Sequence, residues 1–346
     1  LIGGAGGRWS ASGWGFFHAE FGGEAGRDVP GWLDFLGHRH GRKVTAADLA
    51  ADREAAALAQ ETAALVQAAG SEEDPDVSII VPVYDCALYT LVCIRSLMAR
   101  TTRASFEIIL ADDCSSDATA GLFGGMGGRL RHLRHATNLG FIRNCNAAAA
   151  AARGKTLVFL NNDTIVLPGW LDALVETLRR NPKAGVAGSK LLNADGTLQE
   201  AGGLFWREGN AWNFGRGADP VLPQFSYLRP VDYISGASMA IPKAVWERLG
   251  GFDETFVPAY CEDSDFAFRC RAAGFDVLLQ PASQVIHHEG VSHGRDISGG
   301  IKAYQERNQK TLIARHRAAL ERDHFPDGTN LFQARDRSRR KAHVLI

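Results

Sequence analysis

From Val77 onward, the hydrophobic and polar positions switch repeatedly between two periods. Residues 77–83 (VSIIVPV) form a near-continuous apolar run, the pattern of a strand buried on both faces. Residues 87–100 place Leu91, Ile94, Leu97 and Met98 at helical spacing. A second buried strand is predicted over 106–111, a weaker third over 130–133 and a fourth over 156–160. An Ala-rich helix is predicted over 144–152, and a helix over 170–180 is opened by Pro168. This β-α-β-α order predicts an α/β fold with a doubly wound, mostly parallel sheet, whose ligands bind beyond the carboxyl ends of the strands. Polar clusters fall at those ends: Tyr84-Asp85, Asp112-Asp113 and Asn161-Asn162-Asp163. Residues 191–227 break into Gly- and aromatic-rich segments and read as an irregular insertion. Upstream, residues 46–69 are strongly helical by propensity, with Thr45 and Asp48 as a capping box and Gly70 as the stop. Leu58, Ala59, Thr62, Leu65 and Val66 share one face of that helix, so it is expected to pack on a neighbour. Residues 1–44 show no period, and residues 71–76 form an acidic linker with Pro75.

Composition narrows the function. The chain has 346 residues, 45% hydrophobic and 22% charged, which is ordinary for a globular protein. A formal net charge of -1 gives no footprint for nucleic acid. The six cysteines form no CxxC pair and no zinc spacing, so they read as reduced thiols of a cytosolic protein. No apolar run approaches the ~18 residues of a membrane span. The N-terminus carries no signal-peptide pattern. The chain begins with Leu1, and residues 339–346 run from basic into apolar β-branched residues. It is therefore expected to be an internal segment of a longer multidomain protein. Residues 1–76 would be an N-terminal extension, 77–320 the main domain, and 321–346 a connector into a further domain's first strand.

Four clusters could carry chemistry. Glu262-Asp263 opens an amphipathic helix after a Gly-Gly-Phe-Asp loop. The helix dipole favours an ionised carboxylate there, as a general base requires, although acidic residues also cap helices. In Asp112-Asp113-Cys114-Ser115-Ser116-Asp117, a strand-end carboxylate can accept the N3 hydrogen of uracil or thymine. It can equally close an Asx-turn, and two aspartates allow both. Asn161-Asn162-Asp163-Thr164 offers oxygens to a hard cation such as Mg²⁺ or Mn²⁺ bridging to diphosphate, or is simply a polar loop. Residues 287–293 (HHEGVSH) hold three histidines without HExxH spacing. One of them as an extra ligand to an Asp163 metal is more economical than a zinc site, and the alternative is ordinary strand-end hydrogen bonding. No GxGxxG follows the first strand, and no GxxxxGK[ST] or GxSxG occurs. A nicotinamide enzyme, a P-loop NTPase and a nucleophile-elbow hydrolase are thereby disfavoured.

Residues 77–294 resemble the family 2 inverting glycosyltransferases of GT-A fold. The matching segments are SIIVPVYD (with Asp85 where Asn is usual), DDCSSDAT, NLGFIRNCNAA, LNNDT, SGASMAIPKAVWERLGGFDETF, CEDSDFAFRCRAAG and VIHHEGVS. The resemblance implies a GT-A fold with a Rossmann-like nucleotide-binding half and an acceptor-side half. It places Pro82, Tyr84, Asp85 and Asp113 around the nucleotide, and Arg143 and Asn162 near the diphosphate. Asp163 and His287 would hold Mg²⁺ or Mn²⁺, with His288 in reserve. Asp263 would be the general base, with Glu262 its catalytic neighbour. The arrangement is similar to bacterial enzymes of cell-surface polysaccharide assembly, including rhamnosyltransferases. That implies a UDP- or dTDP-sugar donor and a glycan or lipid-linked acceptor, in the cytoplasm or at the inner face of the membrane. Two other expectations compete. A nucleotidyltransferase would want a basic Gly-rich loop where Tyr84 to Tyr89 stand, and a catalytically idle binding module is disfavoured by the intact Asp263.

Overall fold

The computed structural model describes residues 28–39, 43–100, 102–291 and 303–338. Residues 1–27 of the irregular stretch, His293 and the expected strand within 339–346 lie outside the described residues.

Three helices precede the sheet: α1 (Asp28–Gly37), α2 (Ala46–Ala51) and α3 (Arg53–Ala68). No element was expected before residue 45, because that stretch shows no clear period. α1 forms regardless, burying Val29, Trp32, Leu33, Phe35 and Leu36. The single helix expected over 46–69 is broken at Asp52, which leaves helical geometry (φ -87°, ψ 97°) and caps α3 by accepting the Ala55 N–H. Arg39 holds Asp52 there through Nε and Nη2 at 2.8 and 3.0 Å. Such a long-range pair is invisible to local propensity. The Thr45–Asp48 capping box forms as expected. On α3, Thr62 and Val66 are buried and Leu58 and Ala59 partly so.

The body contains β1 (Val77–Val83), α4 (Ala87–Met98), β2 (Phe106–Asp112), α5 (Thr119–Phe123), β3 (Leu130–Arg134), α6 (Phe141–Ala151), β4 (Thr156–Leu160), β5 (Thr164–Val166) and α7 (Trp170–Arg180). It continues with β6 (Ala184–Leu192), β7 (Leu198–Glu200), β8 (Gly203–Phe205), β9 (Ala211–Asn213), β10 (Arg229–Pro230) and β11 (Ser238–Pro242). Last come α8 (Lys243–Leu249), α9 (Glu262–Ala272), β12 (Asp276–His287), α10 (Ala303–Asp323) and α11 (Leu331–Ala334). The main sheet runs β10-β12-β6-β11-β4-β1-β2-β3, with β5 on β12 and β7 on β6. β3, β2, β1 and β4 are parallel, as expected of a nucleotide-binding half. β11 then lies antiparallel to both β4 and β6, and β6 and β12 form a second parallel pair. The sheet is therefore mixed, and β11 joins its two halves.

Alternate residues of β1 face opposite cores. Ile79 and Val81 pack beneath α4, with Trp170 and Leu174 of α7 in the same cluster. Ile80 belongs to the cluster that includes Ile142 of α6, Trp246 of α8 and Phe266 of α9. Phe159, Trp246, Phe252 and Phe266 form an aromatic knot with ring centroids 4.8–5.4 Å apart along the chain of contacts, which fixes α8 and α9 against β4. No helix among the described residues is long and apolar enough to cross a membrane.

Candidate active site

A cavity of about 400 Å³ opens at the carboxyl ends of β1, β2 and β4. Pro82, Tyr84 and Asp113 line one side, Asn162, Asp163 and His287 another, and Glu262 and Asp263 a third. Eight of the ten residues singled out from sequence therefore meet in one place. Asp85 and Arg143 do not line it. Asp85 stitches two loops together: its Oδ1 accepts the Ser116 and Asp117 N–H groups at 2.7 and 3.2 Å, and its Oδ2 pairs with Lys43 at 2.8 Å. Arg143 turns outward to Glu254 at 2.8 Å, with both side chains about half exposed.

The two aspartates at the end of β2 divide their work. Asp112 is fully buried, accepts the Ser115 N–H, and faces His132 and Arg134 at 3.1 and 3.0 Å. Burial opposes its charge, but these partners outweigh it and hold the carboxyl down at about 2. Asp113 instead reaches the cavity wall and accepts the Leu139 and Gly140 N–H groups at 2.6 and 2.9 Å. Gly140 sits at φ +80°, where a Cβ would be strained and would press on Pro258 at 3.0 Å. Helix α6 begins at Phe141, three residues before the expected start, because this clamp prepares its first turn. Further along α6, Asn146 clasps the Phe252 backbone through both amide atoms, at 2.9 and 3.1 Å.

The antiparallel pairing of β5 with β12 puts His287 opposite Thr164 and so beside Asp163. His287 Nε2 lies 3.3 Å from Asp163 Oδ1, and its Nδ1 lies 2.7 Å from Gln199 Oε1. Burial opposes the Asp163 charge, but His287 outweighs it and lowers the carboxyl below its usual range. Burial likewise opposes charge on His287, and Asp163 raises it on balance. His288 packs edge-on against Tyr89 at 5.3 Å, so of the two histidines it is His287 that lines the cavity. Among the described residues, no group of three or more His, Cys, Asp or Glu side chains is arranged around a metal position. A buried carboxylate facing a ring nitrogen, whose other nitrogen is already engaged, nevertheless fits a cation that brings further oxygen ligands with it.

Glu262 and Asp263 open α9 after two consecutive residues in left-handed geometry, Tyr260 (φ 75°) and Cys261 (φ 71°). Asn308 of α10 anchors this loop, donating from Nδ2 to the carbonyls of Phe256, Ala259 and Tyr260 at 2.6, 2.8 and 3.1 Å. Asp263 accepts the Gly236 N–H at 3.1 Å and the Ser264 N–H at 2.6 Å. Glu262 Oε2 is buried and has no hydrogen-bond partner. Burial and then the Asp263 charge push Glu262 up to about 8, while burial also raises Asp263 against the pull of its N–H donors. A third carboxyl, Glu200 at the end of β7, is pushed up to about 8 by burial and then by Asp263. In the turn before β11, Gly236 N–H donates to Asp263 and the Ser235 backbone favours the charged form of Glu200.

Residues 78–230 match the description glycosyl transferase family 2, and residues 156–312 match glycosyl transferase family group 2. The chain carries a family 2 glycosyltransferase domain. The O-antigen biosynthesis protein RfbC of Myxococcus xanthus is 35% identical over 235 residues, covering 64% of this chain and 18% of that protein. An uncharacterized protein of Sinorhizobium fredii is 30% identical over 234 residues, covering 65% of this chain and 26% of that protein. The chain thus spans about a fifth to a quarter of those two relatives. The N-acetylglucosaminyl-diphospho-decaprenol L-rhamnosyltransferase of Mycobacterium tuberculosis is 26% identical over 245 residues, covering 63% of this chain and 78% of that enzyme. The crystal structure of GalNAc-T7 with UDP, GalNAc and Mn²⁺ superposes with a TM-score of 0.56 at 17% identity, covering 70% of this chain and 48% of that one. The fold is that of the GT-A glycosyltransferases.

Within this glycosyltransferase domain, sequence reasoning missed Gln199, Glu200 and Asn308. The first two sit in Leu198-Gln199-Glu200 ahead of Gly202-Gly203, where an acidic residue in a short apolar-flanked segment was the available signal. Asn308 carries no local signal, since it is one polar residue in a long polar helix.

Proposed function

We propose that the domain is a metal-dependent, inverting glycosyltransferase that moves a sugar from a UDP- or dTDP-sugar to a hydroxyl of a glycan or lipid-linked saccharide in bacterial surface polysaccharide assembly. The observation that carries it is a single cavity with an N–H-supported carboxylate, Asp263, on one wall and the Asp163–His287 pair on another. Pro82, Tyr84 and Asp113 are the residues for the nucleotide, and Tyr84, 41% exposed at the cavity wall, would stack on the base. Asp163 and His287 would hold Mg²⁺ or Mn²⁺, with diphosphate oxygens and water completing the shell. The cation, when bound, offsets the charge of the departing diphosphate. Asp263 removes the proton from the acceptor hydroxyl as its oxygen bonds to the anomeric carbon. The bond from that carbon to the diphosphate oxygen breaks on the opposite face, so the configuration inverts and the nucleoside diphosphate leaves with the bonding pair. The placement of two carboxyls at the start of α9 favours this role: the helix dipole and two N–H donors favour the charged form of Asp263, while burial and the Asp263 charge favour the protonated form of Glu262.

The reading is tested by screening UDP-, dTDP- and GDP-sugars for release of nucleoside diphosphate, with and without a lipid-linked saccharide acceptor. Release stimulated by acceptor from a UDP- or dTDP-sugar, with inverted anomeric configuration in the product, is expected. Retained configuration, or no turnover with any donor, would overturn it.

A further inference from the structure

His287 is gripped twice by one side chain. Gln199, 2% exposed on β7, places Oε1 2.7 Å from His287 Nδ1 and Nε2 3.1 Å from the His287 carbonyl oxygen. The same Nε2 lies 3.2 Å from Asn193 Oδ1. Asn193 itself is fixed by donating to Thr197 Oγ1 and the Leu198 carbonyl at 2.9 and 3.3 Å. The Gln199 nitrogen therefore faces two acceptors, so its oxygen faces the imidazole and Nδ1 must carry the hydrogen. The other ring nitrogen, Nε2, then turns to Asp163 Oδ1 at 3.3 Å, and Asn161 Nδ2, a donor, lies 3.4 Å from it.

We infer that Gln199 is the positioning residue of the cation site: by accepting the Nδ1 hydrogen of His287 it aims the Nε2 lone pair at the space beside Asp163. The inference rests on the metal-dependent reading above. A ligating histidine needs its far nitrogen engaged to hold both tautomer and ring orientation, and losing that partner typically costs ~10–100-fold in metal affinity. Gln199 does not line the cavity, and it acts only through His287. It also explains why an amide stands buried on a three-residue strand otherwise filled by Leu198 and Glu200.

The test uses the intact chain and two variants, Gln199→Met and Gln199→Ala, each checked for native thermal unfolding. Mn²⁺ binding is followed by electron paramagnetic resonance as MnCl₂ is added with and without UDP. The His287 Nδ1 proton is followed by ¹⁵N-edited NMR without metal. In the wild type a hydrogen-bonded Nδ1 proton is expected. Both variants should lose that resonance and bind Mn²⁺ at least ~10-fold more weakly, and His287→Ala should do the same. Wild-type Mn²⁺ affinity in a folded Gln199 variant, or a wild-type ring with no proton on Nδ1, would overturn the inference. If the wild type binds no Mn²⁺ with UDP present, the metal-dependent reading fails, and the metal-free resonance still decides whether Gln199 orients the ring. If neither variant folds, the wild-type resonance is decisive.

Discussion

Two neighbouring carboxyls in a dry site cannot both stay charged unless each is given hydrogen-bond donors, and Glu262 and Asp263 are not treated alike. Asp263 receives two backbone N–H groups, whereas Glu262 Oε2 receives none. This difference supports the proposal that Glu262 carries the proton and that Asp263 is the base. Glu262→Gln, which copies the neutral acid, is expected to keep turnover within about tenfold of the wild type. It should also flatten the pH–rate profile above pH about 8, where the wild type gains a second charge beside its base. A Glu262→Gln profile that still bends at the wild-type pH would contradict this assignment. On the other wall, Asp163 has His287 as its close ion-pair partner. Activity is expected to vanish in excess chelator and return with Mg²⁺ or Mn²⁺, and His287→Ala should need more metal for half-maximal rate. Undiminished turnover in chelator would exclude a catalytic cation.

Helix α10 supports the loop ahead of α9 through Asn308, and its Gln305 lines the cavity. Asn308 holds three carbonyls of the loop that delivers Tyr260 and Cys261 in left-handed geometry ahead of α9. Asn308→Ala leaves these carbonyls without that donor, so a stability loss of about 1–3 kcal/mol is expected in urea unfolding. A larger proportional fall in kcat should follow as the start of α9 loosens. An unchanged midpoint and rate would remove α10 from the account. Elements stabilised by their own pattern were legible in sequence: β1, β4 and α7 lie over the residues expected for them. Elements that depend on distant partners were not. β6 contains Gly185 and Gly188, which weaken any strand pattern. They are required because a Cβ at Gly188 would lie 2.0 Å from Ile234, and one at Gly185 2.4 Å from the Cys270 sulfur. β11 hides in Ser238–Pro242, between a turn and a helix, and only the flanking β4 and β6 reveal it. Asp163, His287 and Asp263 were found because their motifs are local. Glu200 and Gln199 were not, because their meaning comes from the Ser235–Gly236 turn and from His287.

At the scale of the whole molecule, buried charge sets opposite limits on stability. Glu200 has an ordinary carboxyl pKa of 4.5 in the unfolded chain and about 8 when folded. Between these values the folded state binds more protons, so stability falls as pH rises from about 4.5 to about 8. Asp112 acts the other way, being held at about 2 against 3.8, so its contribution is complete above 3.8 and is lost as pH falls toward 2. Glu200→Gln keeps the shape of the side chain and removes the ionisation. Thermal unfolding of that variant should depend less on pH between 5 and 8 than the wild type, and identical slopes would contradict the burial of a protonated Glu200. The mixed sheet brings residues at the carboxyl ends of β1 and β2 and the α9 carboxyls of the other half to one cavity, joined by β11. The central claim is that Asp263 is the base that drives transfer across that junction. Its most direct test compares Asp263→Asn with the wild type for sugar transfer and for UDP or dTDP binding. Nucleotide affinity should hold while turnover drops at least ~10²-fold, and a variant retaining more than about half of wild-type turnover would contradict the claim.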